Sequence, residues 1–375
     1  MTTTRSSTAI SGAASTAALQ LDYLSSDAIA SQSPAWWQNV LGVVGFEQLP
    51  PIEGSRVPIT ASMTPSLGAN DAVCEVWRVA GPGVQLSDGA AEGSRVRYRF
   101  CEDLLFGSIT IDERLLEAGS ALRGGADHAV VDAGALLRAT EIAYQEIFGV
   151  LRETEHPHLI RIWNFLPEIN REAGGDERYR LFNSARQLAF RNSGQATVGT
   201  VPAASALGSP AGSPISIYFL AARQPPKMIE NPRQTSAYYY PPKFGRHSPI
   251  FSRACVLHES AGTNLFVSGT ASIVGHETIH QGDVGAQTRE TMANISALLD
   301  EANRVVGAAR YRLDGLKFKV YVRDPADLSA IEGALSRSLR SSIPIVYLQA
   351  DVCREDLLVE IEATGESGRV AFGVM

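Results

Sequence analysis

Glu360 and Glu362 sit two residues apart in Leu357-Leu358-Val359-Glu360-Ile361-Glu362, a run that alternates like a β-strand. Leu357, Val359 and Ile361 share one face, which belongs to a core. Leu358, Glu360 and Glu362 share the other, with the two carboxylates roughly 7 Å apart along the strand. If that face is enclosed, burial and mutual repulsion both raise a carboxyl pKa. A protein keeps a proton-donating acid near neutral pH in this way. If the face is open, the pair are ordinary solvated glutamates. Cys353 lies just upstream. No sequence neighbour activates it as a nucleophile, and alone it reads as a small core residue.

Other segments hold further candidates. Arg161 stands among apolar residues in Leu159-Ile160-Arg161-Ile162-Trp163, where an unpaired charge is costly. Arg186 lies on a helical stretch with Leu181, Phe182, Leu188 and Phe190, either on a solvated face or at a site. Tyr238-Tyr239-Tyr240-Pro241-Pro242 forms a stiff loop whose tyrosines offer apolar surface and a hydroxyl. Arg253 in Ile250-Phe251-Ser252-Arg253-Ala254 calls for a carboxylate from protein or ligand. Gly269 interrupts a strand, a mark of close approach by a ligand or another chain segment. His276, His280 and Asp283 suggest metal ligands by spacing, but Gly275 and Gly282 break any helix and no third ligand stands out. No metal or cofactor is therefore expected. Gly81-Pro82-Gly83 lacks the Lys-Ser/Thr sequel of a phosphate loop, and no nucleophile elbow is present.

The elements that must position these residues follow from composition and periodicity. The chain has 375 residues, 45% hydrophobic and 19% charged, which fits a globular protein with room for two domains. Its net charge of −7 argues against a nucleic-acid or anionic-membrane surface, so an anionic ligand would need a local arginine pocket. Four cysteines without paired spacing fit a reduced, cytoplasmic compartment. No apolar run approaches the ~20 residues of a membrane span. Residues 1–35 are expected to be a disordered tail, because the Thr-, Ser- and Ala-rich start lacks a continuous apolar segment.

Strands are predicted over 73–79, 96–100, 104–111 and 158–165, with helices over 132–153 and 177–190. Residues 191–214, rich in Gly, Ser, Ala and Pro, read as a linker, so domains are expected at 36–205 and 206–375. In the second half, strands are predicted over 215–222, 250–257, 264–273, 316–322, 343–349 and 357–363. Helices fall over 283–304 and 325–339, the latter opened by Asp324-Pro325. The halves look duplicated. Leu105-Phe106-Gly107-Ser108 and Leu265-Phe266-Val267-Ser268 lie 265 − 105 = 160 residues apart. Leu159 and Leu316, which open two strands, lie 316 − 159 = 157 apart. The expected class is α+β, a mixed sheet with helices on one face, its other face covered by the second half with a cleft between them. A duplicated chain can imitate an oligomer, so a monomer is expected.

Together these segments resemble the chorismatase family. The resemblance rests on Arg161-Ile162-Trp163-Asn164, Arg186, Glu230-Asn231-Pro232, Tyr240-Pro241, Arg253-Ala254, Gly275-His276, His280 with Gly282 and Asp283, Lys319-Val320-Tyr321-Val322-Arg323 and the run Arg354 to Glu362. It implies tandem RidA/YjgF-like (chorismate mutase-like) domains and cleavage of chorismate to pyruvate and a six-ring carboxylate. It implies Glu360 as catalytic acid and Arg186, Arg253 and Tyr240 as substrate-contacting residues. Arg161, Gly269 and Glu362 are expected to join them at the substrate, and Glu362, sharing the pocket, to raise the Glu360 pKa by like-charge coupling. Gly269 and Cys353 resemble the branch that makes 3-hydroxybenzoate, with Gly269 leaving room for the ring and Cys353 assisting aromatisation. Branches giving a diene diol or mixed hydroxybenzoates are the alternatives, and a non-catalytic binder or an imine hydrolase is a different use of the scaffold.

Overall fold

A computed structural model describes residues 18–46, 57–62, 64–68, 73–81, 84–89, 93–116, 128–259 and 262–367. Alternation in Ala18–Ser25 buries Leu19 and Leu21 and makes this segment strand β1. Ser25 and Ser33 cap the short helices α1 (Ser26–Ala30) and α2 (Pro34–Trp37), each accepting a backbone N–H. Strands β2 (Val40–Phe46), β3 (Ile59–Ser62) and β4 (Val73–Ala80) complete a four-stranded sheet in the order β1-β4-β2-β3. The expected tail therefore ends by Ala18, because β1 gains a full antiparallel ladder with β4. Residues 1–17 lie outside the described residues, as do residues 82 and 83 of Gly81-Pro82-Gly83.

Strands β5 (Ser87–Gly89), β6 (Arg97–Phe100) and β7 (Leu104–Ile111) lead into helix α3 (His128–Glu153) and strand β8 (His158–Pro167). A two-residue ribbon, β9 (Glu172–Ala173) with β10 (Asp176–Glu177), precedes helix α4 (Arg178–Asn192). Strands β11 (Ala203–Ser209) and β12 (Ile215–Ala222) follow. The predicted linker thus contains a strand, and a boundary at 205/206 would cut β11. Ile215–Ala222 does not open the second half. It sits between β7 and β8 in the first sheet, where it supplies both neighbours with backbone partners.

The second unit runs β13 (Lys227–Ile229), β14 (Ala254–Glu259), β15 (Gly262–Thr270), the ribbon β16 (Ile273–Val274) and β17 (Glu277–Thr278), then helix α5 (Val284–Val306). Strand β18 (Leu316–Val322), helix α6 (Leu328–Leu335), β19 (Ile345–Gln349), β20 (Asp351–Val352) and β21 (Val359–Ser367) complete it. Asp283 caps α5 by accepting the Ala286 N–H. The sheets prove the duplication: β6-β7-β12-β8-β11 in one matches β14-β15-β21-β18-β19 in the other. In each, the third and fourth strands of the set, as they occur along the chain, are parallel and the remaining pairs antiparallel.

Helices α3 and α4 cover the outer face of the first sheet, and α5 and α6 that of the second. The inner faces meet in one core that also takes in Leu19, Leu41, Phe46 and Trp77 of the N-terminal sheet. Polar contacts stitch the units together at β11: the Ala204 N–H donates to Ser268 Oγ at 2.9 Å, and that hydroxyl donates to the Ser252 carbonyl at 2.6 Å.

Candidate active site

Strand β21 carries Ile361 and Val359 into the helix-covered core and turns Glu360 and Glu362 to the inner face. Both carboxyls are buried, at 4% and 5% exposure, so the enclosed alternative holds. Their environments push them apart. Glu362 accepts from Arg161 (2.6 Å), Ser205 (2.7 Å), Trp163 Nε1 (2.7 Å) and Lys319 (2.8 Å). Burial alone would raise its pKa, but Lys319, then Arg161 and these hydrogen bonds, more than offset that and bring it down to about 2. Glu360 Oε1 has no protein partner. Burial, and then the charge of Glu362, raise the Glu360 pKa to about 8 against the opposing pull of Arg161 and Arg253. One member of the pair is a fixed anion and the other a neutral acid near pH 7.

Lys319 is itself shared. It also pairs with Glu75 of β4 at 2.5 Å, while Trp77 Nε1 donates to the other oxygen of Glu75 at 2.5 Å. Tyr218 of β12 stands 3.0 Å from Lys319 and stacks on Trp163. The N-terminal sheet thus closes the charge cluster behind Glu360.

Glu360 opens onto a cavity of about 570 Å³ between the units, also lined by Gly269, Cys353, Tyr240, Arg253 and Arg354. The volume suits a small-molecule ligand. Arg253 Nη2 donates to the Thr235 carbonyl and the Tyr240 hydroxyl, each at 2.7 Å, and its Nε has no partner. Arg354 lies over the Phe244 ring at 4.0 Å, with Nη1 held by the His276 carbonyl (3.0 Å) and Nη2 unpartnered. Two guanidiniums with unused donors therefore line the same cavity as a protonated carboxyl. Burial, then the nearby Glu360, push the Cys353 thiol up to about 12, so it stays a neutral thiol.

The bulge between Val267 and Thr270 in β15 puts Gly269 against the acid. A Cβ at position 269 would lie 1.9 Å from Glu360 Oε1. The glycine makes space for the carboxyl as well as for a ligand, which the sequence alone did not distinguish.

Glu360, Cys353, Tyr240, Arg253 and Gly269 thus converge on one cavity wall. Three expected binding residues do not line it. Arg161 and Glu362 pair with each other behind the wall, and their hydrogen bonds are taken by protein groups. Arg186 is buried on α4 over Tyr144, Phe182 and Phe190. Its Nε and Nη2 have no partner, but it is absent from the cavity lining. His276, His280 and Asp283 are directed elsewhere: His276 to Glu277, His280 to Glu290, and Asp283 to its helix cap. Among the described residues no cluster of three such side chains could hold a metal. Arg354 and Tyr179 line the cavity and were not predicted. Arg354 sits in an Arg-Glu-Asp run that resembles solvated surface, and Tyr179 in an unremarkable helix start.

A duplicated α+β fold with a buried acid and paired guanidiniums at its inter-unit cleft defines an enzyme site for a small anionic molecule. Residues 75–221 match the family described as chorismatase FkbO/Hyg5-like, N-terminal. A 3-hydroxybenzoate synthase from Streptomyces hygroscopicus is 41% identical over 238 residues, covering 61% of this chain and 69% of that protein. A chorismatase from Streptomyces rapamycinicus is 33% identical over 307 residues, covering 78% and 82%. A chorismatase crystal structure superposes with a TM-score of 0.76 at 29% identity, covering 93% of this chain and 98% of that one. The chain belongs to the chorismatase family. Its α+β class and its repeated mixed sheets agree with the expectation from sequence. No helix among the described residues is long and apolar enough to cross a membrane.

Proposed function

We propose that this enzyme converts chorismate to 3-hydroxybenzoate and pyruvate, with Glu360 as the general acid. The observation that supports this reading most is the Glu360 carboxyl: buried, raised to about 8, and unpartnered at Oε1 on the wall of a cavity that Arg253 and Arg354 also line. Chorismate is a dianion carrying an enol ether. The two guanidiniums and the Tyr240 hydroxyl offer donors to its two carboxylates. Glu360 delivers its proton to the terminal methylene carbon, and the ether becomes an oxocarbenium ion. The neighbouring ring hydroxyl then attacks the ring carbon that bears the ether. The ring C–O bond breaks, and its electron pair leaves with pyruvate. The hydroxyl proton returns to the Glu360 carboxylate, leaving an arene oxide. Opening of the epoxide and loss of the ring proton restore aromaticity, so no water or oxidant is consumed.

Gly269 and Cys353 support the aromatic outcome over the diene diol, in which water attacks instead. In this reading the neutral Cys353 thiol, which lines the same cavity as Glu360, assists ring opening. The Glu362–Arg161–Lys319 cluster serves the acid from behind and does not bind substrate. Both units of one chain contribute to the cleft lining, which supports a monomer as the active form.

The test is to incubate the purified chain with chorismate, follow pyruvate with a coupled dehydrogenase and separate the ring products by chromatography. Stoichiometric pyruvate and 3-hydroxybenzoate are expected. Pyruvate with the diene diol would overturn the branch assignment, and chorismate-dependent thermal stabilisation without pyruvate would overturn catalysis.

A further inference from the structure

Arg323 follows directly on β18 and is held at its own N–H by the Leu358 carbonyl at 3.1 Å. All five side-chain N–H groups find acceptors. Nε donates to the Leu357 carbonyl (2.8 Å), and Nη1 to Asp351 Oδ1 (2.6 Å) and Asn170 Oδ1 (3.2 Å). Nη2 donates to the Val352 carbonyl (3.0 Å) and the Arg354 carbonyl (2.9 Å). The last two carbonyls belong to the residues on either side of Cys353. A single nitrogen therefore clamps the backbone around the thiol and sets the direction of its Cα–Cβ bond. The same segment delivers Arg354 to the cavity.

The residues beyond Arg354 are tied to the second unit: Asp356 accepts from Thr278 (3.1 Å) and Gln281 (3.0 Å), its carbonyl accepts from Gln287 (2.8 Å), and Arg354 Nη1 donates to the His276 carbonyl (3.0 Å). Of these ties only Arg323 reaches the carbonyls on both sides of Cys353. Between β20 and β21 its internal backbone bond is Leu357 N–H to the Arg354 carbonyl. Its start is tied to the first unit, where Leu207 and Gly208 of β11 pair with Val352 and Asp351. Asn170, the other first-unit contact, lines the cavity and donates to Glu177 at 3.0 Å. Arg323 thus joins both units to one loop, using the fork geometry that lysine lacks.

We propose that Arg323 is a positioning residue for product choice: it holds the Cys353 thiol at the ring so that the intermediate aromatises before water reaches it. This rests on the role given to Cys353 above. Arg323 itself touches neither substrate nor the reacting atoms. Loosening its clamp frees Cys353 while leaving Glu360, on the β21 ladder, in place.

The experiment compares Arg323→Lys, Asp351→Ala and Cys353→Ala in the full chain. One readout is the ratio of 3-hydroxybenzoate to diene diol formed from chorismate. The other is the rate of Cys353 alkylation by iodoacetamide, read by mass spectrometry against the buried Cys74, Cys101 and Cys255. Arg323→Lys is expected to speed alkylation about tenfold, as one or two lost hydrogen bonds do to a local opening. It should also shift the ratio toward diol in the direction taken by Cys353→Ala, with pyruvate formation reduced less than the ratio changes. Asp351→Ala removes one acceptor on a half-exposed side chain and should do the same to a smaller degree, which keeps the test intact if Arg323→Lys does not fold. Unchanged alkylation and unchanged products in the folded variants would overturn the proposal. If Cys353→Ala leaves the products unaltered, the role of the thiol fails and alkylation alone decides the clamp: a rise upholds it, and no change overturns it.

Discussion

Replacing Glu360 by glutamine should remove activity and add stability, and the gain should grow with pH. The side chain keeps its shape and loses its proton. A positioned general acid is worth about 10²–10⁴ in rate, so pyruvate formation should fall by about that factor. The stability effect follows from the raised pKa. Folding lifts this carboxyl from 4.5 to about 8, so the folded state binds a proton more tightly than the unfolded chain. Its contribution to stability is fully present below pH 4.5 and is lost as pH rises through 8. Linkage puts the loss at ~2 kcal/mol by pH 6 and ~5 kcal/mol by pH 9. Glutamine does not ionise, so it escapes this cost, although one unbonded amide group costs about 1–3 kcal/mol at every pH. The constant cost cancels in the comparison: the variant should gain ~3 kcal/mol on wild type between pH 6 and pH 9. Urea unfolding at the two pH values measures this directly. Parallel stabilities at both, or a variant with near-full pyruvate release, would refute the assignment of a buried protonated acid.

Glu362→Gln should act in the opposite sense. It leaves Arg161 and Lys319 short of a buried anion, at a cost of about 3–5 kcal/mol. That stability is present above pH 4.5 and lost as pH falls toward 2. Removing the charge should also lower the Glu360 pKa, moving the alkaline limb of the pH–rate profile to lower pH, and an unmoved limb would count against the coupling. Gly269→Ala should force the Glu360 carboxyl back by 3.4 − 1.9 = 1.5 Å to reach ordinary contact. A displacement of this size can cost about 10²-fold in rate. Pyruvate release should slow by up to that factor and product should move toward the diol, and wild-type rate and products together would contradict the packing argument.

The strands and helix from β14 to β18 of the second unit, the alternation that sets Glu360 against the core face, and the repeated Leu-Phe-x-Ser landmark were legible because each depends on local periodicity. What escaped was long-range or weakly patterned. Glu75 sits in an ordinary-looking strand, and only the tertiary fold brings it 2.5 Å from Lys319. Leu19 and Leu21 alternate as a strand should, but polar neighbours hid the signal until pairing with β4 and the Glu366 acceptor for the Leu21 N–H made it visible. Residues 203–209 carry one large apolar side chain, Leu207, among Ala, Ser and Gly, since β11 packs closely against β8 and β15, so a strand read as a linker. Arg161 was read correctly as a costly buried charge. Its partner proved to be Glu362 instead of substrate.

The duplication explains why the second unit alone carries an acid at the Glu360 position of the repeat. Phe106 and Phe266, equivalent in the repeat, pair across their strands with Leu220 and Thr364. Counting back along β12 and β21 then sets Tyr218 opposite Glu362 in the repeat, and Ser216 opposite Glu360. Tyr218 and Glu362 reach the same Lys319 from the two sheets, so the first unit completes the charge cluster of the second. Ser216 instead donates its hydroxyl to the Ala61 carbonyl of β3, and the N-terminal sheet occupies the space where a second cleft would open. The bulge at Ser268 and Gly269 has no counterpart in the β7–β12 ladder, which runs in register throughout. One extra residue in β15 therefore provides the side-chain-free site against which a neutral glutamic acid packs, and the unit that lacks it became the wall.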